Sequence, residues 1–450
     1  MDAFNENLNE QQAQQPMGCL HRFSKTIKVV IIGLLILLLM IPMFMIENLI
    51  SERGRTQEEA IDEVSEKWSL AQTITGPYLN LQYPVVTENN GEKKVSIKDL
   101  ILFPDELMVN GQLKTEILKR SIYEVNVYQS ELTLKGSFSS EELKKSRIDM
   151  DQLQFDRAAI CLNLTDMRGI SEQISITLGD SVYIFEPGMD NRGIANTGVH
   201  AIANLSELKQ NKKLPYEIKI KLKGSQSLNF IPLGKTTRVD LKANWNTPSF
   251  TGNYLPNNRN ITEKEFSAQW QVLNLNRNYS QVMVDFNTSN IKDIESSSFG
   301  VNFKIPVEQY QQSMRSAKYA ILIILLTFGV IFFTEIMNKT RIHALQYLLV
   351  GLALCLFYSL LLSFSEHVGF NPAYLLSSAL TIILVGGYMF GITKKKKPSL
   401  IMSGLLGILY LYIFVLIQLE TFALLAGSLG LLIILAMVMY FSKKIDWFNE

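Results

Sequence analysis

One stretch of the chain leaves almost no choice of structure. Residues 27–46 are nearly all Val, Ile, Leu and Met, with Lys28 at the entry and Pro42 near the exit. Roughly 20 such residues at about 1.5 Å rise cross a ~30 Å hydrocarbon core as a helix, which bonds its backbone polar groups internally. The rival reading is a cleaved signal peptide. Against it, 26 mostly polar residues precede the run, and Glu47-Asn48-Leu49-Ile50 lacks the small-x-small pattern of a cleavage site. Five more apolar runs crowd the last third of the chain, at residues 319–337, 345–362, 373–392, 400–418 and 421–441, so six membrane helices are expected.

Lys and Arg beside these runs set their orientation, because the positive-inside bias acts on short flanking segments. With the N-terminus in the cytoplasm, the inner segments hold eleven cations: Arg22, Lys25, Lys28, Lys339, Arg341, Lys394, Lys395, Lys396, Lys397, Lys443 and Lys444. The outer hairpins, residues 363–372 and the turn near Glu420, hold none. Tails 1–26 and 442–450 are therefore expected in the cytoplasm. Residues 47–318 are expected on the outer face, between the helix 27–46 and the five-helix bundle 319–441.

That outer segment carries 32 Lys+Arg against 34 Asp+Glu, the mixture of a folded soluble surface rather than a polybasic arm. The whole chain has a formal net charge of +1, so nothing suggests a nucleic-acid partner, which would need a basic face to neutralise phosphates. Just beyond the first span, Ala60, Ile61, Val64, Trp68 and Ala71 recur at helical spacing, with Glu58, Glu59, Asp62, Glu63 and Glu66 on the other face. An amphipathic helix rising from the membrane is expected there.

From Gly76-Pro77 onward the period changes to two, and strands are expected at residues 123–128, 131–135, 173–178, 181–185, 216–223, 237–244, 281–286 and 301–305. Pro187-Gly188, Lys223-Gly224-Ser225 and Pro256-Asn257-Asn258 read as turns between them. The expected fold is a membrane protein of mixed α and β. Six transmembrane helices, one N-terminal and five C-terminal, carry a large antiparallel, β-rich, sandwich-like periplasmic domain inserted between the first two. Leu132-Thr-Leu-Lys-Gly136-Ser and Ile220-Lys-Leu-Lys-Gly224-Ser resemble each other, which hints at a duplicated β unit.

Catalytic chemistry finds little support. The three cysteines, Cys19, Cys161 and Cys355, are too few and too scattered for a disulfide framework or a four-ligand zinc site, and Cys161 reads as a small buried hydrophobe. Leu233-Gly234-Lys235-Thr236 resembles the end of a phosphate loop, but Asn229 stands where the first glycine is needed. Ser206-Glu-Leu-Lys209 has a nucleophile-plus-base spacing, yet Lys235-Thr-Thr237 lacks the glycine of the companion motif. Gly387-Tyr-Met-Phe-Gly391 and Ala423-Leu-Leu-Ala-Gly427 read as helix-packing faces. No Asp, Glu, Lys or Arg lies at mid-depth of the last five runs, which argues against an ion-coupled transporter.

Glu335, Arg341, His343, Glu366 and His367 are ionisable groups near the membrane, where an unpaired charge costs several kcal/mol. Topology splits them into two clusters on either side of a span, each with one Glu and one His, too few for a catalytic zinc. Pairing of Glu335 with Lys339 or Arg341 is the preferred reading.

Several strings resemble one family. Tyr319-Ala-Ile-Leu-Ile, Phe332-Phe-Thr-Glu335, Arg341-Ile-His343-Ala-Leu-Gln346-Tyr-Leu-Leu-Val-Gly351 and Ser365-Glu366-His367-Val-Gly369-Phe370 look like the membrane core of the CreD family of bacterial inner-membrane cell-envelope integrity proteins. Gly76-Pro77, Asp166-Met-Arg168-Gly169-Ile170, Pro248-Ser-Phe250-Thr-Gly252-Asn-Tyr-Leu255-Pro256 and Ala268-Gln-Trp270 extend the likeness through the outer segment. The resemblance runs from the first span to Asp446-Trp447. It implies a multi-pass protein of the bacterial inner membrane with a large periplasmic domain, linked to envelope stress, β-lactam response and colicin tolerance. It carries over no catalytic residue, cofactor or metal.

The expected function is therefore a non-enzymatic envelope-integrity scaffold or binding protein. Its partners are the lipid bilayer and periplasmic or cell-wall material, with no nucleic acid. A transport or lipid-handling component is the alternative, and a membrane enzyme acting on cell-wall or lipid substrates comes third. Glu335, Arg341, His343, Glu366, His367, Asp166 and Arg168 are the candidate functional or packing residues.

Overall fold

The structure, a computed structural model, describes residues 24–89, 92–146, 148–189, 194–210, 212–284, 288–303, 308–338, 341–419 and 422–443. Arg22, Lys339, Lys444, Cys19, the hairpin at Glu420 and most of both tails lie outside the described residues, as do Asp285, Phe286, Lys304 and Ile305 of two expected strands.

The helices are α1 (Ser24–Trp68), α2 (Glu141–Lys145), α3 (Thr288–Ser296), α4 (Glu308–Lys318), α5 (Ala320–Asn338), α6 (Ala344–Val368), α7 (Phe370–Thr393), α8 (Lys396–Gln418) and α9 (Ala423–Ser442). Five of them, α1 and α5 to α8, are long and apolar enough to cross a membrane, and α9 is a shorter apolar helix over its described part, Leu424–Tyr440. The chain separates into two compact units, Gln57–Pro306 and the remainder.

The expected first span and the amphipathic helix after it form one element. α1 runs unbroken for 45 residues with Pro42 inside it. Nothing after Ile46 stops it, because residues 47–68 hold six Glu and two Arg, good helix formers, and no Pro. Within the helical unit, Leu39, Met43, Ile46 and Ile50 are buried at helical spacing. Val30, Leu34, Leu37 and Ile41 are exposed, as lipid-facing residues of a bundle are.

Close helix approach occurs elsewhere than the expected packing faces. A Cβ at Gly387, Gly391 or Gly427 would meet nothing within 4 Å. One at Gly351 would strike Leu39 of α1, one at Gly386 the Ser403 hydroxyl, and one at Gly430 the Tyr412 hydroxyl.

Between α1 and α4 the chain builds two sheets. The eight-stranded one runs, edge to edge, Asn258–Ile261, Phe266–Leu273, Thr236–Ala243, Glu106–Arg120, Tyr123–Phe138, Leu214–Ser225, Ser175–Leu178 and Ser181–Ile184. The nine-stranded one runs Ser249–Gly252, Phe299–Asn302, Ser227–Phe230, Gln72–Asn89, Ala158–Leu164, Gly198–Ala203 and Glu186–Pro187, with Glu92–Leu102 and Val282–Val284 off that path. Pairing is antiparallel except Gln72–Asn89 with Ser227–Phe230, and Glu106–Arg120 with Thr236–Ala243, which are parallel. One core takes side chains from both sheets, Ile74, Leu79 and Leu162 from one and Val109, Leu132 and Ile218 from the other, so the unit is a sandwich.

The repeated string acquires a geometric meaning here. Its two copies lie on neighbouring antiparallel strands, and the register sets Gly136 opposite Tyr216 and Gly224 opposite Tyr128. Each tyrosine crosses the glycine facing it, where a Cβ would collide with the phenol. Both rings are buried, and each hydroxyl donates to a backbone carbonyl, Tyr216 to Glu106 O at 3.0 Å and Tyr128 to Ser227 O at 2.8 Å. Lys223-Gly224-Ser225 is accordingly strand rather than turn. The chain bends at Gln226, whose φ is +61°, and passes from one sheet to the other.

Candidate functional site

The seven singled-out residues fall at three places. The first is where α5 ends and α6 begins. Glu335 is 9 % exposed and accepts hydrogen bonds from Lys28 Nζ, from the Ile342 N–H at 3.2 Å and from the Tyr347 hydroxyl at 3.2 Å. Lys28 also donates to the Ile342 carbonyl at 3.0 Å. The carboxylate is thus neutralised from α1, by a residue 307 positions away, rather than by Arg341, which is exposed. His343 lies beside this network without joining it. It caps α6, its Nδ1 accepting from the Leu345 N–H at 3.3 Å while Gln346 Oε1 accepts from the His343 N–H at 3.0 Å.

The second place is the far end of α6, about 35 Å along the helix. Glu366 accepts from the Tyr310 hydroxyl at 3.0 Å and faces Arg53 Nε at 3.8 Å. Its neighbour His367 is exposed and takes no part. Each end of α6 therefore has one carboxylate tied to a cation of α1, and neither gathers its histidine.

The third place lies in the β unit, at the C-terminal end of α1. Arg168 donates to the Glu66 carbonyl at 2.5 Å, one of the last carbonyls of the helix. Asp166 accepts from the Leu70 N–H at 2.9 Å and from Arg168 Nε at 2.9 Å, and its carbonyl takes a 2.8 Å bond from Gln72. Burial raises the Asp166 pKa. The Arg168 side chain and the Leu70 and Arg168 backbone N–H groups outweigh it and hold the carboxyl at about 2. Around this staple Trp68 donates to the Tyr128 carbonyl at 3.5 Å, and Lys223 sits 4.9 Å above its ring.

The rejected motifs are occupied with structure. Ser206 Oγ donates to Asn204 Oδ1 at 2.6 Å, while Lys209 lies 3.7 Å from Asp151. Lys235 pairs with Glu142 at 3.0 Å. Cys161 is fully buried beside Tyr78 and Phe103 in a second core cluster. Among the described residues no three His, Cys, Asp or Glu side chains are grouped to hold a metal ion.

Sequence reasoning missed Lys28, Arg53, Tyr310 and Tyr347 as partners. A signal for the first existed: Lys28 opens α1 and Glu335 closes α5, so two antiparallel helices carry opposite charges at matching ends.

The family model described as "Inner membrane protein CreD" matches residues 24–448. The inner membrane protein CreD of Escherichia coli (strain K12) is 32% identical over 420 residues, covering 92% of this chain and 91% of that protein. Its length, its run of apolar helices and the β-rich insert after the first of them all lie inside the matched region. The chain belongs to the CreD family of inner-membrane proteins.

Proposed function

We propose that this protein is a non-enzymatic scaffold of the cell envelope, with both termini cytoplasmic and residues 47–318 in the periplasm. There the β-rich part binds periplasmic proteins or cell-wall material and supports tolerance of envelope stress such as β-lactams and colicins. The observation that carries this reading is how the ionisable groups of the helical unit are used. Glu335 and Glu366 are each bonded to a residue of another helix, so they hold the bundle together instead of lining a path or gripping a substrate.

The test is photocrosslinking in living cells from exposed β-unit positions such as Lys242 and Arg259. Capture of a folded periplasmic protein or of cell-wall glycan is the expected result, and capture of cytosolic proteins alone overturns the reading. A transport or lipid-handling role is the second reading, favoured by a group of buried hydroxyls at mid-depth of the helices. Liposome flux that disappears in Glu335→Gln or Glu366→Gln while the fold persists would select it.

A further inference from the structure

The middle of the helical unit is not uniformly apolar. Tyr358 on α6 and Tyr410 on α8 are 1% and 2% exposed, and Ser377 on α7 is wholly buried. None of these three hydroxyls meets a hydrogen-bond partner among the described residues. Counting along the helices places Tyr358 and Tyr410 each about 21 Å from the start of its helix, and Ser377 about 10 Å from the start of the antiparallel α7, so the three share one depth. Neither water nor a headgroup of the surrounding lipid reaches that depth freely. A hydroxyl left unbonded there loses as much as a broken hydrogen bond.

The aromatic rings pack together. Tyr374 and Tyr410 rings stand 6.3 Å apart and both pack on Phe357, at 5.4 and 4.4 Å. The Tyr358 ring packs edge-on against the same Phe357, at 4.8 Å. On α7, Tyr374, Ser377 and Thr381 occupy positions i, i+3 and i+7, one buried face. Two neighbours have already committed their protons, Tyr374 to the Tyr410 carbonyl and Thr381 to the Ser377 carbonyl, both at 2.9 Å. The Tyr410 hydroxyl approaches that of Thr381 more loosely than an ordinary hydrogen bond, which leaves its bonding capacity unfilled. No Asp, Glu, Lys or Arg belongs to the cluster, which disfavours an ion.

We propose that α6, α7 and α8 enclose a binding site for a small neutral hydrogen-bonding molecule, water above all, held by the hydroxyls of Tyr358, Ser377 and Tyr410. Each hydroxyl both donates and accepts, and a buried water typically makes about three such bonds.

The test is hydroxyl-radical footprinting of the full-length protein in lipid nanodiscs, because radicals formed from a bound water oxidise the side chains that touch it. Tyr358 and Tyr410 are expected to react severalfold faster than two equally buried controls, Phe328 in the helices and the fully bonded Tyr128. Rates equal to those controls overturn the proposal. The sign of a thermal shift decides independently. If the hydroxyl merely lacks a partner, Tyr358→Phe raises the melting temperature or leaves it unchanged, which overturns the proposal. If it holds a bound molecule, the same change lowers the melting temperature by a few degrees and slows the oxidation of Tyr410. Ser377→Ala supplies the same comparison should Tyr358→Phe not fold.

Discussion

Asp166 carries its structural role in its titration. A carboxyl held at about 2, against an ordinary value near 3.8, stabilises the folded state wherever the unfolded chain is also ionised, and that stabilisation disappears as pH falls from about 4 towards 2. The partner Arg168 is 56% exposed, so solvent screening leaves about 1–2 kcal/mol at neutral pH. Asp166→Asn in the full-length protein is therefore expected to speed hydrogen exchange at residues 66–72 by roughly tenfold at pH 7. The gap to the unaltered protein should close below pH 4, and a gap independent of pH would show that the carboxylate charge is not the cause. Asp166 and Arg168 stood out in the sequence only through family likeness. Their work, closing the end of a helix whose last residues lie nearly 100 positions earlier, depends on a fold that no local pattern encodes.

At the scale of elements, two contacts decide which segments meet. Removing one member of a buried ion pair leaves the other charge uncompensated, so Glu335→Gln should destabilise the helical unit by about 1–3 kcal/mol, less than for a fully buried pair because Lys28 is 29% exposed. A double-mutant cycle of Lys28→Met with Glu335→Gln in detergent melts should show coupling of about 1 kcal/mol or more, and additive losses would mean the pair contributes nothing. In the sandwich, Gly136→Ala drives a methyl group into the Glu106 carbonyl and the Tyr216 hydroxyl. Gly224→Ala does the same to the Tyr128 phenol. Overpacking of this kind costs about 1–3 kcal/mol. Gly224→Ala should recover when Tyr128 is shortened to Leu, whereas Gly136→Ala should not recover with Tyr216→Leu because the Glu106 carbonyl still blocks the methyl group, both measured by protease resistance of the β unit. The two similar strings were visible in sequence as a repeat, whereas their mutual pairing, which explains why glycine and tyrosine recur at that spacing, required the strand register.

For the whole molecule, the outward placement of residues 47–318 is open to direct measurement. Cysteine introduced at exposed Lys242 should react with an impermeant maleimide in intact spheroplasts, while cysteine at exposed Lys396 should react only after lysis. Reversal of the two would invert the proposed topology. What the sequence determined by itself was the inventory: apolar helices, a strand-rich insert behind the first of them, and a cation bias at their ends. These are properties of neighbouring residues, namely hydropathy over one bilayer thickness and a side-chain period of 3.6 or 2. The tertiary structure alone decided that α1 continues as one helix into the β unit, that Glu335 meets Lys28 and Glu366 meets Tyr310, and that the hydroxyls of Tyr358, Ser377 and Tyr410 are buried without a partner. Those outcomes depend on how several helices or strands register against one another at once, and a contact between residues 307 positions apart leaves no trace in the composition of either neighbourhood.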